Sequence, residues 1–321
     1  MKLLITATSF KVESGGPAAR RLREFASENS AGLVFNPHSR PLTEDELIPL
    51  IQDCDGCIAG LDFITKKVID SCGSLRVISR YGAGVDRVDL AAAKAKGIPV
   101  CNTPGANAQA VADLALGLML ATARKIPMLD RKTREGQWVR STGIELFGKT
   151  LGVLGLGAVG KAVAQRARGF SMKILAYDPF INKLYAEEQG IIVSDFDSLI
   201  KESDIISLHL PLDQKTKHII NAEVMARMKR GAILINTARG GLIDESAADE
   251  LLRSGQLGGL GLDAYEEEPP GKSPLFELDN VVVTPHTASH TAEATAAMAA
   301  MSVDNLIDVL SGKDCSYIVN K

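Results

Sequence analysis

Residues Leu151–Gly160 read LGVLGLGAVG, an apolar run that breaks into Gly155, Leu156, Gly157, Ala158, Val159 and Gly160. No other segment restricts the fold as much. A GxGxxG pattern alone is weak, because glycine-rich turns are common. Here a strand pattern precedes it, a helix pattern follows over Lys161–Arg168, and a second strand pattern, Lys173–Tyr177, ends at Asp178. The first glycine permits the tight turn, the second lets a pyrophosphate approach the backbone, and the third lets helix and strand pack closely. The anion then sits at a helix N-terminus, where free N–H groups and the dipole favour it. Asp178 lies 18 residues beyond Gly160, close to the interval of about 20 at which an acid meets an adenosine ribose hydroxyl. No arginine follows in Asp178-Pro179-Phe180 to accept a 2′-phosphate, so NAD is expected rather than NADP. FAD would normally place such a unit at the N-terminus, whereas residues 1–150 precede this one.

Strand and helix patterns alternate along the chain, which predicts α/β architecture with parallel sheets. Near the start the apolar runs are Leu3–Ala7, Gly32–Phe35, Gly56–Ala59 and Val77–Ser79, and Thr43 with Glu46 forms a capping box. Val100–Asn102 closes this part before the breaker Thr103-Pro104-Gly105. After an apolar helix over about Asn107–Arg124, six strands are expected: Thr150–Leu154, Lys173–Tyr177, Ile205–Leu208, Ala232–Asn236, Gly259–Asp263 and Val281–Val283. Six strands suit two mononucleotide-binding halves. The last apolar helix, about Thr291–Leu310, follows that sheet and is expected to return to the first domain. The predicted fold is two Rossmann-like domains. A dinucleotide-binding domain, residues 102–289, is inserted into a flavodoxin-like substrate (catalytic) domain made of residues 1–101 and 290–321.

Composition narrows the function classes. A net charge of −3 gives no electrostatic case for nucleic acid or a membrane surface. Thr6, Thr8 and Ser9 interrupt the N-terminal apolar run, so a strand rather than a secretory leader is expected. Asp113 interrupts the segment Ala108–Ala123, which is also too short to span a bilayer. The five cysteines are odd in number, and Cys54 and Cys57 form a single CxxC without a second pair. Reduced, structural cysteines in a cytoplasmic protein with no metal site are expected.

Three segments beyond the fingerprint carry polar residues at strand ends, where open α/β sheets bind ligands. Arg239, in NTARGGLID, follows a buried strand and precedes two glycines, which suits bidentate binding of a carboxylate. Glu268 closes the acidic loop of GLDAYEEEP, and His286 follows Val281–Val283 within Thr284-Pro285-His286. Each has a plain structural alternative: a surface arginine, a solvated loop, a core histidine. Together they match what a ketone reduction requires. A histidine with a carboxylate partner supplies a proton, and an arginine stabilises the developing alkoxide.

These segments, with His209-Leu-Pro211 and the GLGAVG–Asp178 unit, resemble the D-isomer-specific 2-hydroxyacid dehydrogenase family over essentially the whole chain. The resemblance implies Arg239 as substrate-binding and polarising residue, His286 as general acid/base and Glu268 as its partner. It implies cofactor contacts at the fingerprint, Asp178, Pro179, His209, Pro211, Thr216, Thr237 and Ala238, with Asp263 at the nicotinamide end. The loop Ala83, Gly84, Val85 would offer N–H groups to the substrate carboxylate, and a homodimer is implied. Ala288 and Ser171 stand where the family commonly has glycine. Within the family, the run Arg80–Asp89 is most similar to short 3-phosphoglycerate dehydrogenases, with Arg80 facing a distal anion and Arg140 adding charge from a neighbouring subunit. Against a phosphate, Gly60 stands where some such enzymes place an arginine. D-3-phosphoglycerate is the first expectation, with glyoxylate, hydroxypyruvate or sulfolactate as alternatives. A formate dehydrogenase would carry glutamine in place of Glu268. An NAD-sensing binding protein of the corepressor type is the alternative from another class.

Overall fold

Short apolar runs bounded by turn residues become parallel strands in the computed structural model, which describes residues 1–10 and 15–321. The chain begins with β1 (Lys2–Ile5), α1 (Pro17–Glu28), β2 (Gly32–Phe35), α2 (Glu44–Ile51), β3 (Gly56–Ala59), α3 (Lys66–Ser71), β4 (Val77–Arg80), α4 (Leu90–Ala95) and β5 (Val100–Cys101). The strands are parallel in the order β2-β1-β3-β4-β5, the flavodoxin-like arrangement. β3 and β4 are buried at every position, so they read as unbroken apolar runs rather than alternating ones. Helix entry follows local chemistry: Glu46 accepts the Thr43 N–H at 2.9 Å to cap α2, and Asp89 accepts from Ala92 to cap α4.

The second part comprises α5 (Ala108–Ala123), α6 (Ile126–Arg134), β6 (Thr150–Leu154), α7 (Ala158–Ala167), β7 (Lys173–Tyr177), α8 (Lys183–Glu188) and β8 (Ile192–Val193). It continues with α9 (Phe196–Glu202), β9 (Ile205–Leu208), α10 (Ala222–Ala226), β10 (Ala232–Asn236), α11 (Glu245–Arg253), β11 (Leu257–Leu262) and β12 (Val281–Val283). Its sheet is parallel with order β12-β11-β10-β9-β6-β7-β8. That is seven strands where the sequence suggested six. The extra one, β8, pairs only Ile192 with Leu175 and Val193 with Ala176, too short a run to display any period. The order reverses between β6 and β9, and the crevice beyond the carboxyl ends of those strands is where such sheets take ligands. The apolar stretch of α5 is buried against β10, β11 and α7. Glycines in β11 allow the approach, since a Cβ at Gly259 would stand 2.4 Å from Thr122 Cγ2.

The last helix, α12 (Ala292–Leu310), is capped by Thr291, whose side chain accepts from the Ala294 N–H. It packs on α1, β3 and β4. Val303 and Leu306 are fully buried there, each stabilising the fold by about 1.5–3 kcal/mol relative to exposure. Contacts thus divide the chain into one unit of Met1–Asn107 with His290–Lys321 and a second of Ala108–Ser289. Residues 102–107 fall with the first unit: Asn102 N–H donates to Tyr317 O at 3.2 Å and Thr103 N–H to Gly82 O at 3.1 Å. Among the described residues no helix is long and apolar enough to cross a membrane.

Candidate active site

In the second unit β6 runs directly into the glycine turn. Gly155 has φ +98°, and its N–H donates to Tyr177 O at 2.8 Å. A Cβ at Gly160 would lie 2.0 Å from Gly155 O, whereas one at Gly157 would meet nothing within 4 Å. The third glycine is therefore forced by packing, and the second borders open space. Gly157 is the N-cap of α7 and makes no side-chain cap bond, so the N–H groups of Ala158 and Val159 begin the helix without a side-chain acceptor. Asp178 sits beside this turn, its carboxylate accepting from Leu156 N–H and Phe180 N–H, both at 2.8 Å. Pro179 separates Asp178 from Phe180 in the chain.

On the other side of the switch point, His209 follows the end of β9 at Leu208. Its ring is 2.9 Å from Ser207 Oγ, and burial pulls its pKa down to about 3, so it is neutral at physiological pH. Thr216 Oγ donates to Pro211 O at 2.7 Å and accepts from Asp213 N–H at 2.8 Å, stapling the loop after β9. Past β10, Thr237 Oγ1 is buried without a partner, and Ala238 N–H is used by Asn236 Oδ1 at 3.0 Å. An orphaned hydroxyl, an open glycine and a carboxylate beside a helix N-terminus fit a dinucleotide.

The residues expected as acid–base groups follow the next strands. Arg239 lies three residues beyond β10; its guanidinium donates to Ala238 O at 2.7 Å, and its own carbonyl accepts from Asn236 Nδ2 at 2.8 Å. His286 and Glu268 come together, with Nδ1 2.8 Å from Oε1. The same Oε1 accepts from Tyr265 N–H at 3.2 Å. A carboxylate on Nδ1 fixes that nitrogen as the donor. Nε2 has no hydrogen-bond partner among the described residues. His286 adopts φ +49°, a left-handed conformation uncommon outside glycine.

Asp263 holds that conformation. It is 1 % exposed, and it accepts from Thr284 Oγ1 at 2.6 Å, Thr287 N–H at 2.8 Å and Ala288 N–H at 2.9 Å. Its carboxylate thus brackets His286 on both sides. Tyr265 adds a bond from its hydroxyl to Thr284 O at 2.7 Å, and burial together with Asp263 pushes its pKa up to about 12.

In the first unit, Arg80 is 2 % exposed and donates to Ala59 O at 2.8 Å and Gly84 O at 3.2 Å. These bonds support the following loop from beneath. The loop itself carries Gly82 at φ +146°, with Ala83 exposed and Gly84 and Val85 half-buried. A Cβ at Gly60 would meet Ala7 Cα at 3.0 Å, so that position is closed by the backbone just after β1.

Residues 116–288 match the D-isomer specific 2-hydroxyacid dehydrogenase, NAD binding domain. The chain belongs to the D-isomer specific 2-hydroxyacid dehydrogenase family. It is 46% identical over 283 residues, 87% of its length, to D-3-phosphoglycerate dehydrogenase of Methanocaldococcus jannaschii, of which it covers 54%. It is 47% identical over 262 residues to hydroxypyruvate reductase of Thermotoga maritima, covering 80% of this chain and 85% of that protein. The chain spans about half the length of the curated phosphoglycerate dehydrogenases it matches. Among solved structures, the TT0316 protein of Thermus thermophilus has TM-score 0.86 at 37% identity, covering 99% of this chain and 100% of that one. NAD⁺-bound 3-phosphoglycerate dehydrogenase of Entamoeba histolytica has TM-score 0.84 at 29% identity, covering 100% and 99%. In this family member Ala108–Ser289 contains the NAD-binding domain, and NAD is its cofactor.

A pair of reciprocal bonds braces the loop that leads to Glu268, with no signal in the sequence. Glu245 Oε1 accepts from Glu266 N–H at 2.8 Å, and Glu266 Oε1 accepts from Glu245 N–H at 2.9 Å. His218 Nε2 lies 3.2 Å from Glu266 Oε2. Glu245 follows the N-cap Asp244 and reads as an ordinary first-turn acid, so no local signal marks it. Burial, then the charges of Glu266 and Glu268, raise its pKa. A raised carboxyl pKa means that the folded state binds the proton more tightly than the unfolded chain, so the charged form weakens stability above that pKa. Glu245→Gln keeps the acceptor and removes the charge. Its Tm should rise by about 1–3 °C at pH 8, with the gain shrinking as pH falls through the Glu245 titration. A Tm at pH 8 equal to or below that of the parent chain would contradict this.

Proposed function

We propose that the protein interconverts a D-2-hydroxy acid and its 2-keto acid with NAD. The observation that carries this reading is the 2.8 Å contact of His286 Nδ1 with Glu268 Oε1, on the strand ends of a unit that also holds the dinucleotide turn. NAD, when bound, supplies or takes the hydride at the carbon bearing oxygen. In reduction, His286 donates the Nε2 proton to the keto oxygen; in oxidation it accepts the hydroxyl proton there. Glu268 keeps the ring oriented and stabilises the imidazolium. Arg239 polarises the keto oxygen and offsets the charge that develops on it. In the first unit, the N–H groups of Ala83, Gly84 and Val85 receive the substrate carboxylate. Gly157, Ala158 and Val159 would hold the cofactor diphosphate, Asp178 a ribose hydroxyl, and Thr237 a polar group of the cofactor.

Asp178→Ala should weaken NADH binding by about tenfold, as for loss of a charged hydrogen-bond acceptor, and should relax discrimination against NADPH. Fluorescence titration with both nucleotides reads this, and an unchanged preference would remove the ribose role.

Within the substrate class, phosphohydroxypyruvate is the first reading, through the likeness of Arg80–Asp89 to phosphoglycerate enzymes. A second, hydroxypyruvate, is favoured by the burial of Arg80 and by its bonds to two backbone carbonyls. NADH oxidation with phosphohydroxypyruvate, hydroxypyruvate, glyoxylate, sulfopyruvate and pyruvate tests both. The higher kcat/KM identifies the substrate, and no turnover with any of them would favour an NAD-sensing binding protein. We also propose a homodimer, because Trp138 and Phe147 are 84% and 70% exposed. A monomeric mass in sedimentation would overturn it.

A further inference from the structure

We propose that Asn102, backed by Asn305, is a positioning residue that sets the Ala83–Val85 loop to receive the substrate carboxylate. The inference rests on the role given to that loop above. All the residues concerned lie in the first unit.

The loop is held by its carbonyls. Gly82 O accepts from Thr103 N–H at 3.1 Å, Ala83 O from Asn102 Nδ2 at 2.7 Å, and Gly84 O from Arg80 Nε at 3.2 Å. The N–H groups of Ala83, Gly84 and Val85 have no acceptor among the described residues. With three successive carbonyls tied down, the intervening peptides cannot rotate freely, and their donors stay available together. Successive backbone N–H groups of this kind form a concavity for an anion. The Asn102 bond is the shortest of the three ties.

Asn102 is itself fixed at both backbone ends. Its N–H donates to Tyr317 O at 3.2 Å, and its carbonyl accepts from Asn305 Nδ2 at 2.9 Å. Asn305 is 3 % exposed on the buried face of α12, beside Val303 and Leu306. A primary amide costs stability at such a site unless it is bonded. Its two ends are both engaged: Nδ2 on Asn102 O, and Oδ1 with the Cys315 thiol at 3.4 Å. Both amide orientations follow from their partners, because only an NH₂ group can meet a carbonyl oxygen. Asn305 thus clamps the Asn102 backbone, and the Asn102 side chain passes that placement to Ala83.

A positioning role makes a different prediction from a purely structural one. Losing the tie should loosen carboxylate binding and leave hydride and proton transfer alone. With hydroxypyruvate and NADH as probes, Asn102→Asp keeps the side-chain size but cannot donate to Ala83 O. It should raise KM by about fivefold to tenfold, with kcat within about twofold and NADH affinity unchanged. Asn305→Leu should raise KM by about threefold. The double variant should match Asn102→Asp rather than the product of the two, because the contacts act in series. A third variant, Ala83→Pro, removes one loop N–H and tests the loop directly. If Ala83→Pro raises KM and Asn102→Asp does not, the positioning role is overturned and the loop assignment stands. If Ala83→Pro leaves KM unchanged, the loop assignment falls and this inference falls with it. Should Asn102→Asp fail to fold, Asn305→Leu decides: an unchanged KM overturns the proposal.

Discussion

His286→Ala is expected to lower kcat by at least about a hundredfold while NADH still binds, the loss typical of a general acid/base. The geometry supports so large an effect. Nδ1 is committed to Glu268 at 2.8 Å, which leaves Nε2 as the ring position able to exchange a proton with substrate. Water can replace the proton donor but not its placement, which Glu268 fixes at Nδ1 and Asp263 fixes through the backbone flanking His286. The cofactor turn at Gly155–Gly160 is made by other segments, so nucleotide affinity should survive. Steady-state rates with fluorescence titration of NADH separate the two quantities. A variant with undiminished kcat would sink the acid–base assignment, and one that lost NADH binding in parallel would point to a collapsed domain instead.

Gly240→Ala should be the most damaging single methyl group near the site. A Cβ there would stand 1.7 Å from the Tyr265 carbonyl carbon, 2.0 Å from its oxygen and 2.2 Å from Glu266 N. All three are backbone atoms, so no side chain can turn aside. Arg239 precedes this glycine, and the strap that meets it continues to Glu268. The added carbon therefore pushes the Arg239 and Glu268 segments apart. Overpacking of this kind costs about 3 kcal/mol, which lowers Tm by about 6–12 °C in a domain of this size. A displacement of about 1 Å between catalytic groups costs a further hundredfold in kcat/KM. The neighbouring Gly241→Ala is the control: its Cβ would meet only the Leu212 side chain, at 3.0 Å or more, and should melt near the parent chain. Thermal melts and kinetics on both variants test the claim. Parental Tm and activity in Gly240→Ala would refute it.

Much of the fold was legible because its signals are local. Glycines spaced for a tight turn mark the end of β6, apolar runs mark the central strands, and Thr43 with Glu46 marks a helix start. β8 was missed because two residues cannot show a period. The loop at Gly82–Gly84 was recognised from its glycines, but not the donors that hold it, since Asn102 and Asn305 lie far from it along the chain. Arg80 shows the same limit. The likeness to phosphoglycerate enzymes suggested a distal anion for it, and only the structure shows its guanidinium also reaching the carbonyls of Ala59 and Gly84.

The sequence by itself determined the α/β alternation, the dinucleotide turn with Asp178, and the residue types of the candidate acid–base set. Spacing and composition are enough for these, because each is marked by the residue types within its own short segment. Only the tertiary structure decided how those residues are held. Asp263 brackets His286, Glu245 and Glu266 brace the strap of Glu268, Gly240 carries that strap against its backbone, and Asn305 reaches Asn102 from the far end of the chain. These are hydrogen bonds and contacts between segments widely separated in sequence. They exist only once the sheets have ordered their strands, so no local pattern could encode them visibly.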